Sequence, residues 1–193
     1  ESASGISLEF AVAFILNNTF SNNVGYNVIY CEADSQIISN NTISNNIGSG
    51  IVCSKDCKTT ISDNAITNNT GPALVISSNF YSGAIVYIYR NFLSQNSYIN
   101  GAGIYFSNGG NHTVSNNIIC NNKADSLGGA IFCNNSSPLF INNTIVNNQS
   151  LKGGAIYCTA ISNPVFENCI LWGNSANDGD QVYLYDEPSD PTF

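Results

Sequence analysis

Short apolar segments alternate along the chain with pairs of asparagines, and this alternation repeats about every 25 residues. The asparagine that ends each polar cluster recurs at intervals of 23 to 27 residues, at Asn23, Asn46, Asn69, Asn96, Asn122, Asn148 and Asn174. A second column lies five residues earlier and comprises Asn18, Asn41, Asn64, Asn91, Asn117 and Asn143, with Cys169 in the seventh place. A period that runs through the whole chain is typical of proteins built from stacked units.

Large apolar residues accompany the asparagines at fixed offsets. One column contains Ile15, Ile38, Ile61, Ile88, Val114, Phe140 and Phe166, and another contains Phe20, Ile43, Ile66, Leu93, Ile119, Ile145 and Leu171. A third apolar run begins three residues after a glycine in six of the seven units. Its period of two predicts a strand whose first and third residues point inward and whose middle residue points outward. The glycines predict turns with positive φ or close backbone approach.

Each unit thus offers three short strands and three turns, and it cannot bury its apolar columns without stacked neighbours. We therefore predict an all-β fold, a right-handed parallel β-helix of about seven to eight coils with three short strands per coil. Residues 1–193 form one domain, and both ends match the middle of a coil, so the chain is expected to be cut mid-coil at each end. The column from Asn18 to Asn143 is predicted to form a ladder of side-chain amides that bond from coil to coil.

Several segments resemble known β-helix families. The runs NNTISNN (40–46), NNTIVNN (142–148) and GGAIYC (153–158) resemble coils of the pectate-lyase-like superfamily. The recurring GGAI and Phe-x-x-Asn motifs are similar to chlamydial polymorphic outer-membrane-protein repeats, and residues 167–184 resemble the last coils of secreted or surface-anchored β-helix proteins of bacteria and archaea. The resemblance implies a fold rather than an activity, because these families include lyases, adhesins and structural surface proteins.

Composition narrows the range of partners. Charged residues make up only 9% of the chain, its formal net charge is −8, and 32 of its 193 residues are asparagine. The 43% share of hydrophobic residues argues against a disordered tract. Five dispersed cations form no basic stripe, which argues against nucleic-acid binding. The longest apolar run, residues 10–16, falls far short of the roughly 20 residues of a membrane span, so no membrane span is predicted.

No catalytic constellation is recognisable in the sequence. A glycosidase needs two carboxylates about 5 to 9.5 Å apart, whereas the acidic residues here fall in different columns of the repeat. Asp63 and Arg90 occupy equivalent positions in adjacent coils, which predicts a surface ion pair that neutralises both charges. His112, the only histidine, is predicted to be a loop residue. No catalytic residue and no enzymatic cofactor are therefore expected.

Some turn residues are candidates for ion binding or modification. Asp178 and Asp180 flank a glycine turn and are a candidate Ca²⁺ site, with a solvated acidic loop as the alternative. Asn111, Asn134 and Asn135 begin N-x-S/T sequons outside the asparagine columns and are candidate glycosylation sites.

The cysteines fall into stacked positions. Cys31 and Cys53 share one column in adjacent coils, as do Cys133 and Cys158, and a stacking distance of about 4.8 Å lies within the Cα range of disulfides. These pairs are candidate disulfides, with a buried stack of thiols as the alternative. Cys57 is a competing partner for Cys53. The total of seven leaves at least one cysteine without a partner in this chain.

The middle column of the third run is predicted to face outward and is rich in aromatic rings. This aromatic stripe comprises Tyr30, Tyr105, Phe132, Tyr157 and Tyr183. Three interpretations are open: a ladder partly covered by the protein's own loops, a lateral protein–protein contact, or a sugar-stacking face.

Together these features predict a non-catalytic β-solenoid outside the cell or at the cell surface, with a structural or adhesive role. It is expected to assemble end to end or laterally into filaments or a surface layer, so its partners are neighbouring copies or further coils. The alternative is a carbohydrate-binding or polysaccharide-degrading module whose catalytic coils are absent here, with extracellular glycans as its ligands.

Overall fold

The protein was described with a computed structural model that covers residues 5–78, 84–110, 112–186 and 189–193. These residues form twenty-four β-strands and no helix, so no described segment is a helix long and apolar enough to cross a membrane. The strands are β1 (Ile6–Glu9), β2 (Ala13–Leu16), β3 (Thr19–Ser21), β4 (Val24–Glu32), β5 (Gln36–Ser39), β6 (Thr42–Ser44), β7 (Ile47–Ser54), β8 (Thr60–Ser62), β9 (Ala65–Thr67), β10 (Leu74–Ser77), β11 (Tyr87–Tyr89), β12 (Phe92–Ser94), β13 (Ser97–Asn100), β14 (Ile104–Ser107), β15 (Thr113–Ser115), β16 (Ile118–Cys120), β17 (Lys123–Leu127), β18 (Ile131–Asn134), β19 (Leu139–Ile141), β20 (Thr144–Val146), β21 (Ile156–Thr159), β22 (Val165–Glu167), β23 (Ile170–Trp172) and β24 (Val182–Leu184).

Three parallel sheets run the length of the molecule, and each coil contributes one strand to each sheet. Sheet A has the order β1-β4-β7-β10-β14-β18-β21-β24, sheet B the order β2-β5-β8-β11-β15-β19-β22, and sheet C the order β3-β6-β9-β12-β16-β20-β23. Seven coils, numbered 1 to 7 from β2, therefore stack as a right-handed parallel β-helix, which confirms the predicted fold. A two-stranded sheet, β13-β17, lies in the connections from sheet C to sheet A.

The register of every sheet follows the columns of the sequence. Ile29 pairs with Ile51, and Ile38 with Ile61, so equivalent residues of adjacent coils lie side by side. The inward columns are almost completely buried, as Ile51, Ile88 and Ile119 illustrate at 0% exposure. One continuous core fills the interior of the solenoid, and stacking supplies the burial that a single coil lacks.

The turns are made by pairs of adjacent residues, most of them two asparagines, and the two members of a pair have different roles. The first member has positive φ, the left-handed region that asparagine tolerates better than most residues. In the turn from sheet B to sheet C these residues are Asn17, Asn40, Asp63, Arg90, Asn116, Asn142 and Asn168, with φ between 52° and 59°. The second member points inward and bonds along the stack. The asparagine excess therefore has two physical causes.

The predicted ladder is present. The Nδ2 group of Asn41 donates to Oδ1 of Asn64 at 3.0 Å, and the same oxygen accepts the backbone N–H of Asn41 at 2.9 Å. The pattern continues coil by coil through Asn91 and Asn117 to Asn143. Each inner amide is nearly inaccessible to water and hydrogen-bonded on both sides, so the ladder fixes the stacking register.

A second ladder runs beside the first, in the column that served above only to mark the repeat. Hydrogen bonds of 2.9 to 3.1 Å between side-chain amides join its members, which are Asn23, Asn46, Asn69, Asn96, Asn122, Asn148 and Asn174. One ladder thus lines each end of sheet C. The sequence contained the signal, since this column has no exception, but its role as a ladder was not predicted.

Cys169 interrupts the first ladder and offers a direct test of its energetics. The backbone N–H of Asn143 faces Cys169 Sγ at 3.4 Å and its Nδ2 at 3.8 Å, where the other coils supply a carboxamide oxygen. We expect Cys169→Asn to raise the free energy of unfolding by about 1 kcal/mol, because a weak sulfur acceptor is replaced by a strong oxygen acceptor. Urea unfolding under reducing conditions measures the change. Cys169→Ser, whose hydroxyl is too short to continue the ladder, should show no such gain, and an equal gain in both variants would contradict the explanation.

Candidate functional site

Four of the five rings of the aromatic stripe form a continuous stack on the outer face of sheet A, and Tyr30 lies apart from them. Tyr105 lies over Phe132 with ring centroids 4.9 Å apart, Phe132 over Tyr157 at 5.6 Å, and Tyr157 over Tyr183 at 5.4 Å. The last two pairs are nearly coplanar, at 12° and 7°. Since each ring covers the face of its neighbour, the rings stabilise the stack of coils.

Two members of this outward-facing stripe are buried. Phe132 is 5% exposed and Tyr157 is 4% exposed, and burial raises the pKa of Tyr157 to about 12. The turn before β14 lies against Phe132, since a Cβ on Gly101 would lie 2.9 Å from Cβ of Phe132, and Tyr157 lies between the rings of its two neighbours in the stack. These ring faces therefore offer no surface for sugar stacking. Tyr30, Tyr105 and Tyr183 are half-buried.

The outer face of sheet A changes between coils 3 and 4. The connection from sheet C to sheet A takes five residues from Asn69 to Leu74 but eight from Asn96 to Ile104. The connections of coils 4 to 7 are longer than those of coils 1 to 3, although Val52 on the sheet beside the shorter ones is itself only 8% exposed. A step therefore crosses the side of the solenoid at coil 4.

A groove of about 630 Å³ lies at this step. Val52 and Val75 line it from the sheet, at the two positions of the aromatic column that carry small aliphatic residues. Tyr26 and Tyr98 line it from the connections and are 72% and 43% exposed. None of its twelve lining residues is charged, so the groove suits an uncharged, partly apolar group.

Beside the groove lies an unsatisfied acceptor. The Oδ1 atom of Asn100 is buried and has no hydrogen-bond partner among the described residues. Asn100 lines a recess of about 250 Å³ that shares Ser49, Val75 and Tyr98 with the groove. Buried polar atoms without partners are rare in folded proteins, and each one points to a missing donor.

In the part of the chain that the structure describes, charged groups form two ion pairs away from the groove. Arg90 donates two hydrogen bonds to Asp63, at 2.7 and 2.8 Å, which confirms the predicted ion pair, and its guanidinium holds the pKa of Asp63 below the usual value. Lys55 pairs with Glu32, which also accepts a hydrogen bond of 2.6 Å from the Tyr30 hydroxyl. The Asp63–Arg90 pair lies at the surface and contributes little to stability, whereas Glu32 of the second pair is buried, at 9% exposure.

His112 lies in the loop before β15, as predicted, but it is buried, at 2% exposure. Its Nδ1 accepts the backbone N–H of Val86 at 3.2 Å, which leaves Nε2 to donate to the carbonyl of Gly109 at 3.1 Å. The ring stacks on Phe106 at 5.7 Å. Burial lowers the pKa of His112 to about 4, so the ring is neutral and serves the core.

Acidification should therefore destabilise the fold through His112. Its pKa is about 4 when folded and about 6.5 when unfolded, so the unfolded chain binds the proton first as the pH falls. We expect the free energy of unfolding to drop by about 2 kcal/mol between pH 7 and pH 5. Urea unfolding across this range measures the drop. In His112→Gln the drop should disappear, since the carboxyl groups with lowered pKa, such as Asp63, lose their contribution only at lower pH.

The stacked cysteines are in register, but as thiols. Cys31 pairs in register with Cys53, and Cys133 with Cys158, yet all seven cysteines are free in this structure. A hydrogen bond that the Cys53 thiol donates to Cys31, together with burial, raises the pKa of Cys53, which makes this thiol unreactive. The candidate disulfides are thus not formed here, and their formation under oxidising conditions stays a prediction.

The remaining predicted sites are the candidate Ca²⁺ site and the candidate glycosylation sites. Asp180 accepts the backbone N–H of Ala176 at 2.8 Å, and no group of three metal-ligating side chains occurs in the described ranges, so Asp178 and Asp180 have no third ligand there. Asn134 and Asn135 lie half-exposed at the end of β18 and in the turn after it. Asn111 lies outside the described residues. Glycosylation of these sites stays a prediction.

Comparison with known proteins agrees with the geometry. A family model described as the right handed beta helix region matches residues 1–98 and 27–193, and together these matches span the chain. Searches against curated proteins and against solved structures find no significant match.

Proposed function

We propose that this chain, which belongs to the right-handed beta helix family, is a non-catalytic solenoid with a structural and adhesive role at the cell surface or outside the cell. The observation that carries the proposal is the pair of buried asparagine ladders along the stack. They tie each coil to the next through side-chain and backbone bonds. A rod built in this way holds its side faces in a fixed geometry, which suits a scaffold that contacts neighbours.

The side faces support a role in association. All seven strands of sheet C lack charged residues, and Phe92, Ile118, Ile170 and Trp172 project from its outer face at 42 to 75% exposure. We call these four residues the sheet C patch. Exposed apolar surface on this scale is typical of contact sites between proteins.

Analytical ultracentrifugation and negative-stain imaging of the whole chain test this function. We expect the average mass to rise with concentration and the images to show rods that associate along their sides. Incubation with neutral and acidic polysaccharides should release no products. Strictly monomeric rods at every concentration would contradict the association, and turnover of a polysaccharide would contradict the non-catalytic role.

Carbohydrate binding is a second candidate, favoured by the groove at the step of coil 4. Tyr26 and Tyr98 present exposed rings there, and tyrosine rings pack well against sugar faces. On a glycan array, binding by the wild-type chain that is lost in Tyr98→Ala, but kept in the matched Tyr185→Ala variant, would support this candidate. Tyr185 is a suitable control because it is 67% exposed and does not line the groove.

A further inference from the structure

We propose that the groove at coil 4 binds the Trp172 side chain of a second copy of this chain. The inference rests on the proposed associative function and deepens it, because it names the two surfaces that meet. The groove is lined by Val52, Val75, Tyr26 and Tyr98, and the inserted residue belongs to the sheet C patch.

Charge is the first argument for a second copy as the occupant. The chain carries thirteen acidic and five basic residues, so most pairs of its surfaces repel each other. The groove lining and the strands of sheet C are both uncharged. Two copies can therefore bring these surfaces together without placing like charges opposite each other.

Shape and exposure give the second argument. Trp172 is 75% exposed and stands on the outer face of β23, with Ile170 beside it at 58%. Large exposed indole rings are costly in water and are enriched at the centres of protein interfaces. A groove of about 630 Å³ with an aliphatic floor and tyrosine walls accommodates such a ring.

Hydrogen bonding gives the third argument. An indole Nε1–H is a donor with no acceptor capacity, and it needs an acceptor wherever it is buried. Asn100 Oδ1, in the recess that continues the groove, is an acceptor without a donor among the described residues. A ring that enters between Tyr98 and Val75 lies on the side of Asn100, and the buried Oδ1 becomes accessible to its donor only when the side chains that cover this atom move.

The symmetry of such a contact predicts the form of the assembly. The groove lies on coils 1 to 4, whereas Trp172 lies on sheet C of coil 7, so the two surfaces differ in both face and height. A contact between two different surfaces of identical copies generates an open chain of molecules unless the rotation between copies closes a ring. Adjacent rods are therefore expected to be staggered along their sides.

The intrinsic fluorescence of the chain reports on this contact, because Trp172 is its only tryptophan. We expect the emission to shift to shorter wavelength, and acrylamide quenching to weaken, as the wild-type chain associates in ultracentrifugation. Trp172→Thr should weaken association about tenfold or more, since tryptophan anchors dominate such interfaces. Trp172→Phe should weaken it less, because the ring remains and only the donor is lost.

A variant that fills the groove tests the second surface of the proposed contact. Val75→Tyr places beside Tyr105 the residue type that the later coils carry, so it should fold, fill the groove and weaken association as much as Trp172→Thr does. Ile161→Asn is the matched control: it removes an apolar residue that is 60% exposed, at a φ of 59° that suits asparagine, and should leave association unchanged. Circular dichroism and thermal unfolding confirm that each variant is folded.

The outcomes separate the inference from the function it rests on. If the wild-type chain associates while Trp172 stays exposed to quencher, or if Val75→Tyr associates normally, the contact is wrong and the associative function stands. If the wild-type chain never associates, both fail. Cellohexaose at millimolar concentration tests for a sugar site through the tyrosine fluorescence of the Trp172→Thr variant. If the sugar changes this fluorescence, and the change disappears when Val75→Tyr is added, the groove is a sugar site and the inference is overturned.

Discussion

Replacing Asn96 with alanine should lower the free energy of unfolding by about 3 to 5 kcal/mol, because it breaks the second ladder in the middle of the stack. Asn96 is completely buried. Its Oδ1 accepts from both nitrogens of Asn69, and its Nδ2 donates to the carbonyl of Ile66 at 2.9 Å and to Asn122 at 3.1 Å. Alanine supplies none of these partners and leaves buried backbone groups unpaired.

Equilibrium unfolding in urea measures this loss, and Asn23→Ala is its matched control. Asn23 belongs to the same ladder, but it is exposed, and in the described structure it donates to Asn46 without accepting from another ladder member. Water can replace its single ladder partner, so we expect a loss of no more than about 1 kcal/mol. Similar losses in the two variants would show that burial is not what makes the ladder important.

Replacing Phe140 with alanine should destabilise the fold by a similar amount, about 3 to 5 kcal/mol. Phe140 is completely buried, stacks on Phe166 with centroids 4.5 Å apart, and meets the edge of Phe106 at 6.1 Å. In this column coils 6 and 7 carry phenylalanine, whereas coils 1 to 4 carry isoleucine and coil 5 carries Val114. Neighbouring coils are held in register by the ladders and cannot move in to close the cavity.

Thermal or urea unfolding again gives the measurement, with Phe193→Ala as the control. Phe193 ends the same stack, 5.0 Å from Phe166, but is 65% exposed. Its removal leaves a surface notch that water can enter rather than a cavity, and should have a much smaller effect. If Phe140→Ala were as mild as Phe193→Ala, the core would have to relax in a way that the ladders are expected to prevent.

The fold could be predicted from the sequence because the same pattern of inward, outward and turn residues recurs in all seven coils. A column such as Ile38, Ile61 and Ile88 identifies the inward face of one strand. The asparagine that follows each of them at a constant offset, as in Asn41, Asn64 and Asn91, identifies the turn after that strand. Periodicity and side-chain alternation are local properties that recur in every coil. A wrong assignment of a residue in one coil can therefore be corrected by comparison with the other coils.

The candidate site could not be predicted in the same way, because it lies where the repeat is broken. The groove exists because the connection after Asn69 is three residues shorter than the connection after Asn96. The spacing was visible in the sequence, yet the space above Val75 depends on what the neighbouring turns cover. The burial of Tyr157 likewise depends on the rings of Phe132 and Tyr183 in the neighbouring coils. The burial of His112 depends on its contacts with Phe106 and with the turn at Gly109.

The period, the three strands per coil, the inward columns and the first asparagine ladder are all readable from the chain, because they follow from interactions between equivalent positions one coil apart. The folded molecule adds which outward residues are accessible, that the column from Asn23 to Asn174 forms a second ladder, and where an uncharged groove opens. Stacking register depends on short, repeated contacts, whereas exposure depends on the path of each turn over the faces of its neighbours.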